Sequence, residues 1–217
     1  MKNLYIFSGL GADSRVFQNM DFEGYNTTFV EWILPIKNES IAAYAERLVS
    51  QIKHKRPILI GLSFGGIMAV EISKIIEVEK VILIASAKNQ SEIPWYYKIA
   101  GKCRLYNLMP ISLMKSANFL SFWFFGIESK HEKKLLANIL KDTDDNFLKW
   151  AIIQITTWKN NVNPENCYHI HGISDRILPI KFINSSIKVE QGGHFMTLNK
   201  AKLLTKLVRN EIEKTVD

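Results

Sequence analysis

The sequence predicts an α/β fold: a mostly parallel sheet of about six strands with helices on both faces. Three observations carry this. Apolar runs such as Ile58-Leu59-Ile60 and Val81-Ile82-Leu83-Ile84 are short and unbroken, as in strands buried on both faces. Between such runs lie stretches with apolar residues at helical spacing, and strands alternating with helices imply parallel pairing. The segment Gly61-Leu62-Ser63-Phe64-Gly65-Gly66 then joins one of these strands directly to a helix.

Strands are expected at residues 4–7, 27–33, 58–60, 80–85, 167–170 and 187–190. A short helix is expected over 14–20. Residues 41–53 put Ile41, Tyr44, Ala45, Leu48, Val49 and Ile52 on one helical face, with Ser40 able to cap it. Residues 66–76 follow the Gly-rich turn as a helix, and 198–213 close the chain with a long amphipathic face. The stretch 89–163, between the fourth and fifth strands, is far longer than an ordinary connection. It reads as helices over 94–101, 112–122, 128–143 and 145–158. The expected organisation is a core of residues 1–88 and 164–217, with 89–163 inserted as a helical cap.

At 217 residues the chain suits one well-buried domain, and an apolar content of 47% excludes disorder. No apolar run approaches the roughly 20 residues needed to span a bilayer. Met1-Lys2-Asn3 leads straight into a strand with no cleavage-site pattern, so a cytoplasmic location without a signal peptide is expected. Cys103 and Cys167 lack metal-ligand spacing, and reduced structural thiols are the default. The net charge of +7 concentrates between Lys88 and Lys159, with eleven Lys or Arg against six Asp or Glu. Basic clusters interleaved with aromatics, the signature of nucleic-acid binding, are absent from the sequence. His169 and His171 are two apart and are read as lying on alternate faces of a strand, in core and loop roles; no metal and no cofactor are expected.

The chemistry starts at Ser63. A serine held on a sharp strand-to-helix turn needs small neighbours two positions to either side, here Gly61 and Gly65, because adjacent chain crowds it. A hydroxyl is a poor nucleophile at neutral pH. It needs an imidazole to accept its proton and a carboxylate to fix the imidazole tautomer. Asp175, in His171-Gly172-Ile173-Ser174-Asp175, and His194, in Gly192-Gly193-His194-Phe195, each lie just past an expected strand. Ser63, Asp175 and His194 are therefore the candidate catalytic residues, in serine–acid–histidine order.

On these residues the chain resembles the α/β-hydrolase superfamily over nearly its whole length apart from the middle insertion. Leu4-Tyr5-Ile6-Phe7 followed by Ser8-Gly9-Leu10-Gly11-Ala12-Asp13-Ser14-Arg15-Val16-Phe17 is similar to the family's oxyanion loop. That likeness implies that the backbone N–H groups of Leu10 and Phe64 form the oxyanion hole. Ser8 stands where the family commonly has a histidine that braces the loop. The family's first, antiparallel strands have no counterpart, so a minimal version of the fold is implied.

The resemblance implies a serine carboxylesterase acting on an ester or thioester with an apolar acyl group. The loop and elbow look most like small carboxylesterases, including methyl ester esterases acting on pimeloyl groups held by acyl carrier protein. A small-molecule ester, with an acidic acyl carrier protein as a further partner of the positive cap, follows from that likeness. Leu10, Phe64, Trp95, Phe119, Trp123 and Phe195 are the candidate substrate-binding residues. The alternatives within the fold are a carbon–carbon bond hydrolase, a lipase-like enzyme and a non-catalytic ligand-binding protein.

Overall fold

Alternate residues of each strand point to opposite faces of the sheet, and in this chain they feed two separate cores. The computed structural model describes residues 1–214. Strands β1 (Asn3–Phe7), β2 (Asn26–Phe29), β3 (Ile58–Leu62), β4 (Lys80–Ile84), β5 (Cys167–Gly172) and β6 (Ile187–Val189) form one sheet in the order β2-β1-β3-β4-β5-β6. Every neighbouring pair is parallel. The helices are α1 (Ile41–Val49), α2 (Phe64–Ser73), α3 (Trp95–Lys102), α4 (Ile111–Met114), α5 (Phe119–Phe125), α6 (Lys130–Asp142), α7 (Asp145–Thr157), α8 (Met196–Asn199) and α9 (Ala201–Glu213).

Leu4, Ile6, Ile58, Ile60, Ile82 and Ile84 face one core, where α6 and α9 supply Leu135, Ile139, Leu204, Val208 and Ile212. Tyr5, Phe7, Leu59, Val81 and Leu83 face the other, packed by Tyr44 and Leu48 of α1, Met68 of α2, and Phe147 and Trp150 of α7. Residues Phe64 through Ile72 of α2 are all buried, because the helix lies between the sheet and its neighbours. Removing one such aliphatic side chain fully from water contributes about 1.5–3 kcal/mol. The two apolar layers, and not surface ion pairs, hold the sheet together.

β1 has β2 on one side and β3 on the other, so the winding direction reverses there. Open α/β sheets place their sites in the crevice at such a switch point, beyond the carboxyl ends of the strands. Ser8-Gly9-Leu10 follows β1 and Ser63 follows β3, which brings both to that crevice.

Several element boundaries differ from expectation for identifiable reasons. β2 spans Asn26–Phe29 and not 27–33. Beyond Val30 the edge strand leaves the ladder, and side chains take over its backbone: Glu31 N–H donates to Gln51 Oε1, and Ile33 N–H to the Tyr44 hydroxyl. α1 stops at Val49, where tighter bonds take over, with Gln51 N–H donating to Leu48 O and Ile52 N–H to Val49 O. The helix expected over 112–122 is two helices, because Asn118 starts a new one and closes a capping box with Ser121. The C-terminal helix begins earlier, as α8, and breaks at Lys200 before α9.

The connection between β4 and β5 is helical throughout its middle, as expected. Its parts differ in depth: α6 and α7 reach the two cores, whereas no residue of α4 or α5 is buried.

Candidate active site

β3 ends at Leu62 and α2 begins at Phe64, leaving Ser63 alone between them. Its backbone adopts φ 53° and ψ −121°, a conformation that costs a non-glycine residue about 1–3 kcal/mol. The surroundings enforce it. Ser63 N–H donates to Ile84 O at 3.0 Å, and Gly66 N–H donates to Ser63 O at 2.9 Å. The Ser86 hydroxyl also donates to Ser63 O, at 2.7 Å. A Cβ on Gly65 would strike the carbonyls of Phe7 and Ser8; one on Gly61 would strike the Gly65 carbonyl and Gly66 Cα. Crowding by neighbouring chain thus dictates both small residues.

His194 bridges the other two sequence-selected residues. Its Nδ1 lies 2.8 Å from Asp175 Oδ2 and its Nε2 2.8 Å from Ser63 Oγ. Asp175 follows β5, and its other oxygen accepts the N–H groups of Ile177 and Leu178, both at 2.9 Å. Burial works against ionisation of Asp175. The charge and hydrogen bond of His194, then His171 and the Leu178 N–H, outweigh it and keep the carboxyl below its ordinary value. An ionised carboxylate only accepts, so the Nδ1 of His194 carries the hydrogen. In the neutral ring Nε2 is a bare lone pair facing the Ser63 hydroxyl. An imidazole so placed can take the hydroxyl proton, and the carboxylate behind it stabilises the cation that results.

Behind Asp175 stands a second histidine, His171, whose place beside the acid sequence reasoning missed. Residues two apart on a strand share a face, so the expectation that His169 and His171 lie on alternate faces was wrong in principle. Both are fully buried, with ring centroids 5.2 Å apart. His171 Nε2 faces the Leu178 carbonyl at 2.8 Å and lies 3.4 Å from Asp175 Oδ2. A carbonyl only accepts, so Nε2 carries the hydrogen. In the neutral ring the bare Nδ1 then accepts from His169 Nε2, 3.2 Å away. Burial lowers the pKa of His171, opposed by Asp175 and the Leu178 carbonyl. Burial, then His171 and Lys88, hold His169 well below its ordinary value, against the pull of the Ser86 carbonyl. The pair is buried packing behind the acid. The signal available in the sequence was the spacing itself: His171 is four residues before Asp175, at the end of the strand that delivers it.

Ser8 ties the loop after β1 together. Its hydroxyl donates to Ala12 O at 2.5 Å and accepts the Trp32 indole N–H at 2.9 Å. A serine and a tryptophan together hold the loop, and Trp32 is the residue sequence reasoning missed here. The segment between β4 and β5 grips the same loop: the Thr143 hydroxyl lies 2.8 Å from Gly11 O, and Arg15 pairs with Asp142 at 2.8 Å. The Leu10 and Phe64 N–H groups have no hydrogen-bond acceptor among the described residues. Phe64 N–H opens α2, whose free N–H groups and dipole favour negative charge beside Ser63.

The candidate substrate-binding side chains fall in different places. The Phe64 ring is buried among Trp32, Phe147 and Trp150 in the second core. Leu10 packs at the edge of that core. Phe195 is buried in the first core against Phe125, with centroids 5.2 Å apart. Trp95 is exposed and meets Tyr96 edge-on. Phe119 and Trp123 line an open cavity of about 210 Å³ together with Arg176, the neighbour of Asp175. The two cysteines are free; Cys103 is exposed, and burial pushes the Cys167 thiol up to about 12.

No protein-family model matches the sequence, and no curated protein matches it either. Solved structures do match in shape. A lipase-esterase related protein from Clostridium acetobutylicum superposes with a TM-score of 0.71 at 16% identity, over 96% of this chain and 93% of that one. An esterase from Exiguobacterium antarcticum gives 0.67 at 15% identity, over 99% and 92%. The enol-lactonase from Burkholderia xenovorans gives 0.67 at 17%, over 98% and 92%. At such identities the likeness concerns architecture, and together with the parallel six-stranded sheet it establishes that this chain has the α/β-hydrolase fold.

Proposed function

We propose that this chain is a serine hydrolase that cleaves a carboxylic ester or thioester with an apolar acyl group. The observation that carries the reading is His194, within 2.8 Å of both Ser63 Oγ and Asp175 Oδ2. Ser63 Oγ attacks the carbonyl carbon while His194 Nε2 takes its proton. The N–H groups of Leu10 and Phe64 hold the oxyanion, each such donor being typically worth about 3–4 kcal/mol in the transition state. His194 returns the proton to the departing alcohol or thiol, leaving an acyl-Ser63. Water, deprotonated by the same imidazole, releases the acid. Asp175 stays ionised throughout.

Residues 89–163 act in this reading as a cap on a core of 1–88 and 164–217, rooted by α6 and α7. The esterases and the enol-lactonase of similar shape support hydrolysis at a carbonyl as the shared chemistry. A small ester is the substrate. An ester held by an acidic carrier protein joins it only if turnover falls as salt rises to physiological strength, where the Debye length is about 8 Å.

A series of p-nitrophenyl esters of increasing acyl length tests the reading. Turnover with an optimum at one length, abolished by Ser63→Ala, is expected. Equal rates for the Ser63→Ala chain would refute it.

A further inference from the structure

We propose that the outer surface of residues 95–124 docks on an anionic lipid bilayer. Ten of the eighteen exposed large apolar side chains among the described residues fall within these thirty positions. Phe119 is 82% exposed and Leu108 is 79% exposed. Scattered exposed apolar residues are ordinary; a concentration of them marks an interaction surface.

Charge selects the occupant. Between Ile93 and Ile127 the sequence holds Lys98, Lys102, Arg104 and Lys115 and no Asp or Glu. Lys115 is engaged by Asp145 at 2.8 Å, whereas Lys102 and Arg104 are exposed beside Leu105 and Leu108. A second copy seated symmetrically on this face would set Lys102 and Arg104 of the acid-free stretch against their own counterparts. An acidic protein would satisfy the cations but has no use for so much bare aliphatic and aromatic surface. An anionic bilayer takes both: headgroups attract the cations and the acyl boundary receives the apolar side chains.

The helices suit that geometry. α3, α4 and α5 have 8, 4 and 7 residues, and no helix of the described residues is long and apolar enough to cross a membrane. They would lie in the interface. α5 is also fastened to both loops of the candidate site. Arg176 Nη1 donates to Trp123 O at 2.7 Å, and Phe195 N–H donates to Phe125 O at 3.2 Å. Docking through this face brings the Ser63 rim to the bilayer. That its ester substrate is then drawn from the lipid is a corollary, and this corollary alone rests on the hydrolase reading.

The test uses the full chain carrying Ser63→Ala, so that binding is read without turnover. It is sedimented with vesicles of phosphatidylcholine alone or of phosphatidylcholine mixed equally with phosphatidylglycerol. Binding to the mixed vesicles is expected, weakening with salt and about tenfold or more weaker on phosphatidylcholine alone. Lys102→Gln and Arg104→Gln should each weaken it roughly fivefold, and Leu108→Asp about tenfold or more. Ile75→Asp, an exposed apolar position beyond the far end of α2, should change nothing. The proposal is overturned by absence of vesicle binding or by equal binding to both lipids. It is overturned equally if Ile75→Asp matches Leu108→Asp, or if light scattering finds a dimer that Leu108→Asp dissolves in a chain that ignores vesicles. Capture of an acidic acyl carrier protein by a chain that ignores vesicles would do the same.

Discussion

The rim of the sheet and the helices α3–α5 lie side by side and are built on opposite terms. At the rim, Ser63, Asp175 and His194 are locked by backbone hydrogen bonds, close glycine contacts and buried partners. Along α3–α5 Trp95, Ile99, Leu113, Phe119, Leu120, Trp123 and Phe124 are exposed, and no residue of α4 or α5 is buried. Chemistry demands atoms fixed to within a fraction of an ångström, so the rim tolerates little change. A surface that meets something outside the molecule instead needs area and charge.

The widest effect should come from Asp175→Asn. The amide cannot replace a carboxylate that accepts from His194 Nδ1 and supports the imidazolium. A loss of about 10⁴-fold in turnover is expected from the serine protease precedent. Ester hydrolysis assays check it; near-normal turnover would place the acid elsewhere.

Gly65→Ala attacks the same rim through packing. The new methyl group meets the carbonyls of Phe7 and Ser8, backbone that has no rotamer with which to yield. A destabilisation of about 1–3 kcal/mol is expected, visible as a lower Tm.

Much of this was legible because it is written in residue types that have few substitutes. Gly61 and Gly65 around Ser63, and the continuous apolar runs of β3 and β4, revealed the elbow and the buried sheet from sequence alone. All six strands are legible in the apolar runs, and Ser63, Asp175 and His194 stand out by residue type and by their places just past strands. What escaped was tertiary. Trp32, 24 residues from Ser8, becomes its partner only when β2 lies beside β1. His171 escaped through a misjudged strand period. The aromatic residues of 89–163 were equally opaque, because Phe147 and Trp150 in a core and Phe119 in solvent share one composition and differ only in what packs above them.

Ser8→Ala probes the brace of the loop after β1. The Trp32 indole N–H loses its acceptor and the Ala12 carbonyl its donor. A cost of about 1–2 kcal/mol is expected, with a smaller loss of turnover than Asp175→Asn causes. Thermal melts and ester assays on the same preparation separate the two effects.

The smallest effect should come from the other region. Leu108→Ser removes a side chain that is already in water, so stability should move by no more than about 0.5 kcal/mol. A large loss in a thermal melt would mean that α3–α5 are held as firmly as the rim, and the contrast between the two regions would fail.

The most direct test of the central claim is labelling with a fluorophosphonate, which reacts only with an activated serine. Labelling at Ser63 in the native chain, and none in His194→Ala, is expected. A folded native chain that stays unlabelled, or one labelled at another residue, would contradict the account.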